Sequence, residues 1–209
     1  MKKYKTRLTS PRAMAALSGL ALATGLASCG GGGGSPLGNP STIENPPGGG
    51  GQKLSFIYYQ KCINPIFLAK LTNPSGAVNT CSASGCHDTV TGTGGAFRLV
   101  PAATAVDLTN PANTPDVVRT SDMYKNYYSA HGEVVNGSPT NSKLLAKPLL
   151  IGSFFHGGGQ IFSDANDPNV KLISYWISHP VPTGQDEFSS AANVMFTPPD
   201  AATGTCNTQ

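Results

Sequence analysis

The sequence predicts a mainly α fold: one small helical domain with long loops between the helices. Three observations carry that prediction. Apolar residues recur at helical spacing in three separated stretches, while the residues between them are rich in Gly, Pro, Asn and Thr. Two cysteines and a histidine stand close together in Cys81-Ser82-Ala83-Ser84-Gly85-Cys86-His87. The third is chain length: a Gly/Pro-rich segment leaves about 155 residues to its C-terminal side, a normal size for one domain.

The Cys81–His87 stretch organises the rest. Two thiols can add across the vinyl groups of a porphyrin, and an imidazole next to the second thiol reaches the iron from one face, as in c-type haem attachment. Here four residues separate the cysteines, where two are usual, so the segment has to bulge. Gly85 admits positive φ, and Ser82, Ala83 and Ser84 are small enough to follow it. Zinc would need a fourth ligand and usually a second tight pair. A simple Cys81–Cys86 disulfide leaves His87 without a role.

The elements follow in order. Met1 to about residue 12 carries five basic residues and no acid, and an apolar, small-residue stretch runs from Ala13 to about Leu26. That stretch is too short to remain in a bilayer and has the pattern of an export signal. Leu26-Ala27-Ser28-Cys29 resembles the lipobox of bacterial lipoproteins, which implies cleavage before Cys29 and lipid on its sulfur; an ordinary cleaved signal is the alternative. Gly30 in place of Asp after the cysteine, by resemblance to enterobacterial sorting, implies the outer membrane. Residues 1–29 are therefore read as a lipoprotein signal. Residues 30–52 are a Gly/Pro tether with a root-mean-square reach of about 25 Å. Of fourteen Lys and Arg, five leave with the signal, so nine face eleven Asp and Glu in the mature chain. No basic cluster remains, which argues against nucleic acid as a partner.

Residues 53–183 form the expected domain. Leu54 to Ile63 has helical spacing, and Asn64-Pro65 has the form of an N-cap and first-turn proline opening a second helix through Leu71. Asn73-Pro74-Ser75-Gly76 stops it. Thr91 to Gly95 is a tight loop that lets Phe97 and Leu99 fold against a porphyrin edge. Arg98 is a candidate partner for a haem carboxylate, or else a solvent-exposed strand residue. Residues 101–118 are an excursion. Thr120-Ser121-Asp122 caps a helix from Met123 to Tyr128, and Ser142 caps Lys143 to Lys147. A last helix, Val170 to Ser178, stops at Pro180. Residues 184–209 show little pattern. Cys62 and Cys206 are an even remainder in an oxidising compartment and are expected to pair, tying this tail to the first helix.

Asn64-Pro65-Ile66-Phe67, Cys81 to His87, Gly94-Gly95-Ala96-Phe97-Arg98-Leu99, Ser142-Lys143-Leu144-Leu145 and Leu172 to Trp176-Ile177 occur in that order. Together they resemble the planctomycete-type cytochrome c domain, over roughly residues 56 to 180. The resemblance implies a cytochrome c-like fold holding one haem c. Two departures stand out. The haem motif is longer by two residues, and His156-Gly157-Gly158-Gly159 replaces the family's methionine-proline-proline segment before the last helix. His87 is then one axial ligand, and the other is to be chosen among His131, His156, His179, Met123 and Met195. His156 occupies the place of the family's methionine, follows the apolar pair Phe154-Phe155, and precedes glycines that let backbone pass close to its ring. His156 is therefore the expected second ligand.

The function expected from these features is electron transfer between redox partner proteins of the cell envelope, by a chain anchored through lipid on Cys29. Two other classes stay open: a peroxidase-type haem enzyme with a free sixth position, and a haem-free, disulfide-held envelope lipoprotein.

Overall fold

The computed structural model describes residues 51–209; the export signal, Cys29 and nearly all of the tether lie outside the described residues. The core is organised on one helical run near the start of the domain. It comprises α1 (Phe56–Tyr58), a π turn (Tyr59–Ile63) and α2 (Asn64–Leu68). Ser55 starts the run, its Oγ accepting the Tyr58 N–H at 3.1 Å, so one of the orphan donors of the first turn is satisfied. The sequence pattern divides this run at Asn64, but the structure does not. Asn64 has helical φ and ψ, and its N–H reaches back five residues to the Tyr59 carbonyl. Pro65 has no N–H to give and its ring crowds the preceding turn, and the widened π turn absorbs both effects without a break. Asn64 is therefore no N-cap, and the second helix ends at Leu68 rather than Leu71.

Two helices close on this run: α4 (Asp122–His131) and α6 (Pro168–Ser178). Ser121 caps α4 through the Tyr124 N–H, and Asp167 caps α6 ahead of Pro168. Leu54, Phe56, Tyr58, Tyr59, Ile63 and Trp176 are fully buried. Their polar atoms are not abandoned. Trp176 Nε1–H donates to the Ser55 carbonyl at 2.9 Å, and the Tyr127 hydroxyl donates to the Leu54 carbonyl at 2.8 Å. Tyr59 packs edge-on against Tyr127 at 5.5 Å between ring centres and tilted against Trp176 at 5.3 Å.

The elements that position the motif are short. A hairpin of β1 (Leu71–Thr72) and β2 (Val78–Asn79) turns the chain back, with Asn73 Oδ1 accepting the Ser75 and Ala77 N–H groups. Directly after it, the Thr80 hydroxyl and the Ser82 N–H both donate to the Phe67 carbonyl, docking the start of the motif on the end of α2. Residues 97–100 are held from two sides. Fully buried Asn126 on α4 accepts the Val100 N–H and donates to both the Val100 carbonyl and Asn64 Oδ1. On the other side Leu99 forms a parallel bridge to Asp88, through Leu99 N–H to the His87 carbonyl at 2.7 Å and Thr89 N–H to the Leu99 carbonyl at 2.9 Å. One asparagine thus links the aromatic core to the backbone of the motif.

The excursion of residues 101–118 runs into a short helix, α3 (Pro115–Arg119), and Lys143–Ala146 forms α5. Ser142 precedes α5 without capping it: its hydroxyl donates to the Ser138 carbonyl and accepts the Val135 N–H. Beyond Gly184 the chain carries more structure than its pattern signals. Ser190–Met195 is a 3₁₀ turn, and β3 (Phe196–Thr197) pairs with β4 (Thr205–Cys206). Glu187 is 3 % exposed, accepts from Tyr124 Oη at 2.7 Å and Arg119 Nε at 3.1 Å, and its carbonyl takes the Phe56 N–H. Burial raises the Glu187 carboxyl, but the Tyr124 hydroxyl, its own N–H and Arg119 outweigh that and hold it below the ordinary glutamate value.

Cys62 and Cys206 form a disulfide across a sequence separation of 144 residues. Lys61, one residue before Cys62, donates to the carbonyls of Ala201, Ala202 and Gly204, so the tail is held by charge at the same place. A loop this long corresponds to about 4–5 kcal/mol in the chain-entropy limit. Cys206→Ser is expected to lose about 2–4 kcal/mol in denaturant unfolding, with lysine-to-carbonyl bonds retaining the tail in the native state. An unchanged midpoint would show that the crosslink does not constrain the unfolded chain. Among the described residues no helix is long and apolar enough to cross a membrane.

Candidate functional site

The motif doubles back on itself. His87 N–H donates to the Cys81 carbonyl and Cys86 N–H to the Ala83 carbonyl, each at 3.0 Å, while Gly85 takes φ +81°. A β-carbon is disfavoured at such an angle, so glycine is what allows a four-residue spacer to bring both cysteines and the histidine to one wall. Both cysteines are free thiols and half-buried. Burial, with Cys86 behind it, pushes the Cys81 thiol up to about 11. It is therefore protonated at neutral pH. No group of three His, Cys, Asp or Glu side chains gathers as a cage for a bare ion among the described residues.

The wall borders a cavity of about 420 Å³, within the range of about 300–1,000 Å³ typical of small-molecule and cofactor pockets. Its lining is mostly apolar: Phe67, Leu71, Phe97, Leu144, Ile161 and Phe162 surround the thiols. Phe67 and Phe97 meet edge-on at 5.2 Å and join the cavity to the core. Leu99 does not reach it; this side chain is fully buried in the core instead.

Two histidines line the cavity close to one another. His87 Nδ1 lies 2.9 Å from the Phe97 carbonyl, and His156 Nδ1 lies 2.7 Å from the Gly159 carbonyl. A carbonyl only accepts, so in both rings Nδ1 carries the proton and Nε2 keeps its lone pair. The ring centres are 6.2 Å apart and the planes are inclined by 13°. With a metal–nitrogen bond of about 2 Å and a ring centre roughly 1 Å behind each nitrogen, two imidazoles on opposite faces of one metal ion hold their centres about 6 Å apart. Burial, with the cationic Arg98 and Lys147 adding to it, keeps His87 below the ordinary histidine value despite the opposing Phe97 carbonyl. The neutral ring is the form that ligates.

The loop carrying His156 is anchored at both ends on the end of α5. Ile151 N–H donates to the Ala146 carbonyl and Ile161 N–H to the Pro148 carbonyl, each at 2.8 Å. The three glycines act differently. A β-carbon on Gly157 would meet nothing, one on Gly158 would sit 3.2 Å from His156 Cε1, and Gly159 has φ +71°. The tightest approach is on the other histidine: a β-carbon on Gly94 would lie 2.6 Å from both Cε1 and Nδ1 of His87 and 2.8 Å from the Cys86 carbonyl. Gly94→Ala is expected to force the His87 ring off the Phe97 carbonyl. Its signature is a changed imidazole ¹⁵N shift and a melting point lowered by several degrees, consistent with a cost of about 1–3 kcal/mol for overpacking. Gly157→Ala should leave both readings within error, and equal effects from the two would refute the steric account.

Of the five candidates for the second ligand, only His156 lines the cavity. Met123 and Met195 are each 3 % exposed within the core. His131 packs beside Tyr127, and His179 stacks on Tyr175 at 3.9 Å with Nδ1 on the Tyr175 carbonyl. Arg98 is also not brought to the cavity. Its backbone N–H donates to Ser129 Oγ, and its guanidinium lies beside Gly92, where a β-carbon would meet Nη1 at 2.6 Å. Charged side chains that the motif reading left aside do line it: Lys143, Lys147 and Glu133. The first two stand four apart, at the first residue and the C-cap of α5, and that spacing puts them on one face. Cys62 and Cys206 lie in their disulfide, and Cys29 is outside the described residues. No protein-family model, curated protein or solved structure matches the chain.

Proposed function

We propose that this chain is a lipid-anchored c-type cytochrome that carries electrons within the cell envelope. The observation that carries this reading is the pair of histidines, each with Nδ1 tied to a backbone carbonyl and Nε2 free. Their 6.2 Å separation beside two free thiols is close to the spacing of two imidazoles on one metal ion, and it supports a bis-histidine haem. When bound, the haem supplies a one-electron iron couple. In this reading Cys81 and Cys86 would attach it, His87 and His156 would ligate its iron, and Phe67, Phe97, Ile161 and Phe162 would limit water around it.

The Phe97 and Gly159 carbonyls fix both ring tautomers, so little has to reorganise when an electron arrives or leaves. A histidine opposite His87 weighs against the peroxidase-type alternative, which needs a free sixth position. The resemblance to planctomycete-type cytochrome c domains and the lipobox-like segment around Cys29 support the same reading. The Gly/Pro tether would give the domain reach between redox partners at the membrane.

The test is a pyridine haemochrome spectrum of the protein coexpressed with a cytochrome c maturation system. A c-type spectrum at one haem per chain is expected. A purified, folded protein with no haem would overturn the proposal and favour the disulfide-held lipoprotein.

A further inference from the structure

An apolar cavity lined by two lysines poses a question that the histidines and cysteines do not answer. Lys143 opens α5 and Lys147, four residues on, is its C-cap, at the end against which the His156 loop is anchored. Neither makes an ion pair with any described residue; the ion pairs found lie elsewhere, on Arg119 and Lys125. Glu133 is the one carboxylate on the lining, and it also makes no ion pair. Two cations on an otherwise apolar wall are placed to receive an anionic ligand, because a carboxylate entering such a wall without a partner carries a desolvation penalty.

We propose that Lys143 and Lys147 form the cationic wall that receives the carboxylates of the planar, apolar ligand of this cavity, and that Arg98 has no part in it. The inference rests on the haem reading, whose porphyrin carries two carboxylates. Arg98 is the motif-based choice, but its Nη1 is buried against Gly92 with no partner, off the cavity lining. Lysine suits the position. Its flexible stem lies along apolar side chains while the ammonium reaches the mouth, and it acts as a point charge without the fixed fork of arginine. Lys147 is half-buried and Lys143 exposed, so the two define an inner and an outer position on the same wall.

The charges have a measurable consequence. A cation beside the site disfavours the oxidised form, which carries one more positive charge, and neutralises carboxylates that would otherwise favour it. Lys143 and Lys147 therefore raise the reduction potential, Lys147 more than Lys143. Glu133 opposes them from the same lining.

The experiment is a spectroelectrochemical titration of the haem-loaded protein at neutral pH and low ionic strength. Four proteins are compared with wild type: Lys143→Gln/Lys147→Gln, Lys143→Arg/Lys147→Arg, Lys147→Gln alone and Arg98→Gln. The paired Gln variant should show a reduction equilibrium constant lowered about tenfold, a shift of about 59 mV for one electron. Lys147→Gln alone should give about fivefold, the paired Arg variant should return to wild type, and Arg98→Gln should stay within about twofold. Low-spin spectra should persist throughout, since no ligand has been changed. Raised salt should shrink the difference between wild type and the paired Gln variant. A paired Gln variant indistinguishable from wild type, or an Arg98→Gln variant that matches its expected shift, would overturn the lysine wall while leaving the haem reading intact. A wild type with no haem would instead overturn both.

Discussion

Haem staining of a denaturing gel is expected to disappear in Cys81→Ala/Cys86→Ala and to persist in wild type. A thioether survives detergent and heat, whereas a haem held only by histidines and apolar contacts leaves once the cavity unfolds. Each single substitution should keep a stained band through the remaining bond, with a haemochrome spectrum shifted toward that of a singly attached haem. The distinction matters because this spacer is two residues longer than usual. If attachment runs through one cysteine only, the single substitution at the other will leave the wild-type spectrum unchanged. Loss of the stain is expected without loss of the fold. Both side chains are half-buried at the cavity edge, while the core is built on the helical run, α4 and α6. Stain that persists in the double variant would end the cytochrome proposal.

Much of this was legible in local sequence, and the parts that were not share a physical cause. Ser121 before Tyr124 and the proline that stops α6 act within one turn of their own helix, so caps and breakers there could be read directly. Asn64-Pro65 has the same local form but a different outcome. Asn64 is buried and holds Asn126, and the cost of Pro65 is absorbed by a π turn that no local pattern encodes. The tail was opaque for a related reason. Its strands are two residues long, and Glu187, Phe196 and Cys206 are fixed by partners more than a hundred residues away, or by α3 and α4. Periodicity carries no trace of such contacts.

The site divides along the same line. Cys81, Cys86 and His87 are adjacent in sequence, and Gly85 supplies the positive φ their spacing needs. His156 was singled out by its setting between two phenylalanines and three glycines, and it alone of the five candidates lines the cavity. A guanidinium matches a carboxylate, which makes Arg98 a candidate, but that chemistry alone does not say which way the residue faces. Phe97 lines the cavity, whereas the Arg98 guanidinium lies beside Gly92, off that lining.

His156→Ala is expected to leave haem attached through Cys81 and Cys86 while converting a low-spin spectrum to a high-spin, CO-reactive one. The reasoning starts from the loop. Ala146 and Pro148 hold its ends by backbone bonds that do not involve the imidazole, so removing the ring should leave the loop in place and open one position opposite His87. No described side chain stands ready to replace it. Met123 and Met195 are locked in the core, His131 is packed beside Tyr127, and His179 is held on Tyr175. His156→Met should remain low-spin and raise the reduction equilibrium constant about tenfold or more, because a thioether favours ferrous iron relative to imidazole. Gly159→Ala gives a subtler version of the same test. It leaves the ring intact but adds a β-carbon at φ +71°, a strain of about 1–2 kcal/mol, at the residue whose carbonyl holds Nδ1. CO binding should then become measurable but stay weaker than in His156→Ala. If His156→Ala stays low-spin and Met123→Ala or His131→Ala becomes high-spin, the second ligand lies elsewhere and the loop must move to admit it. If wild type already binds CO as readily as His156→Ala, the sixth position is open and the enzyme reading displaces the carrier.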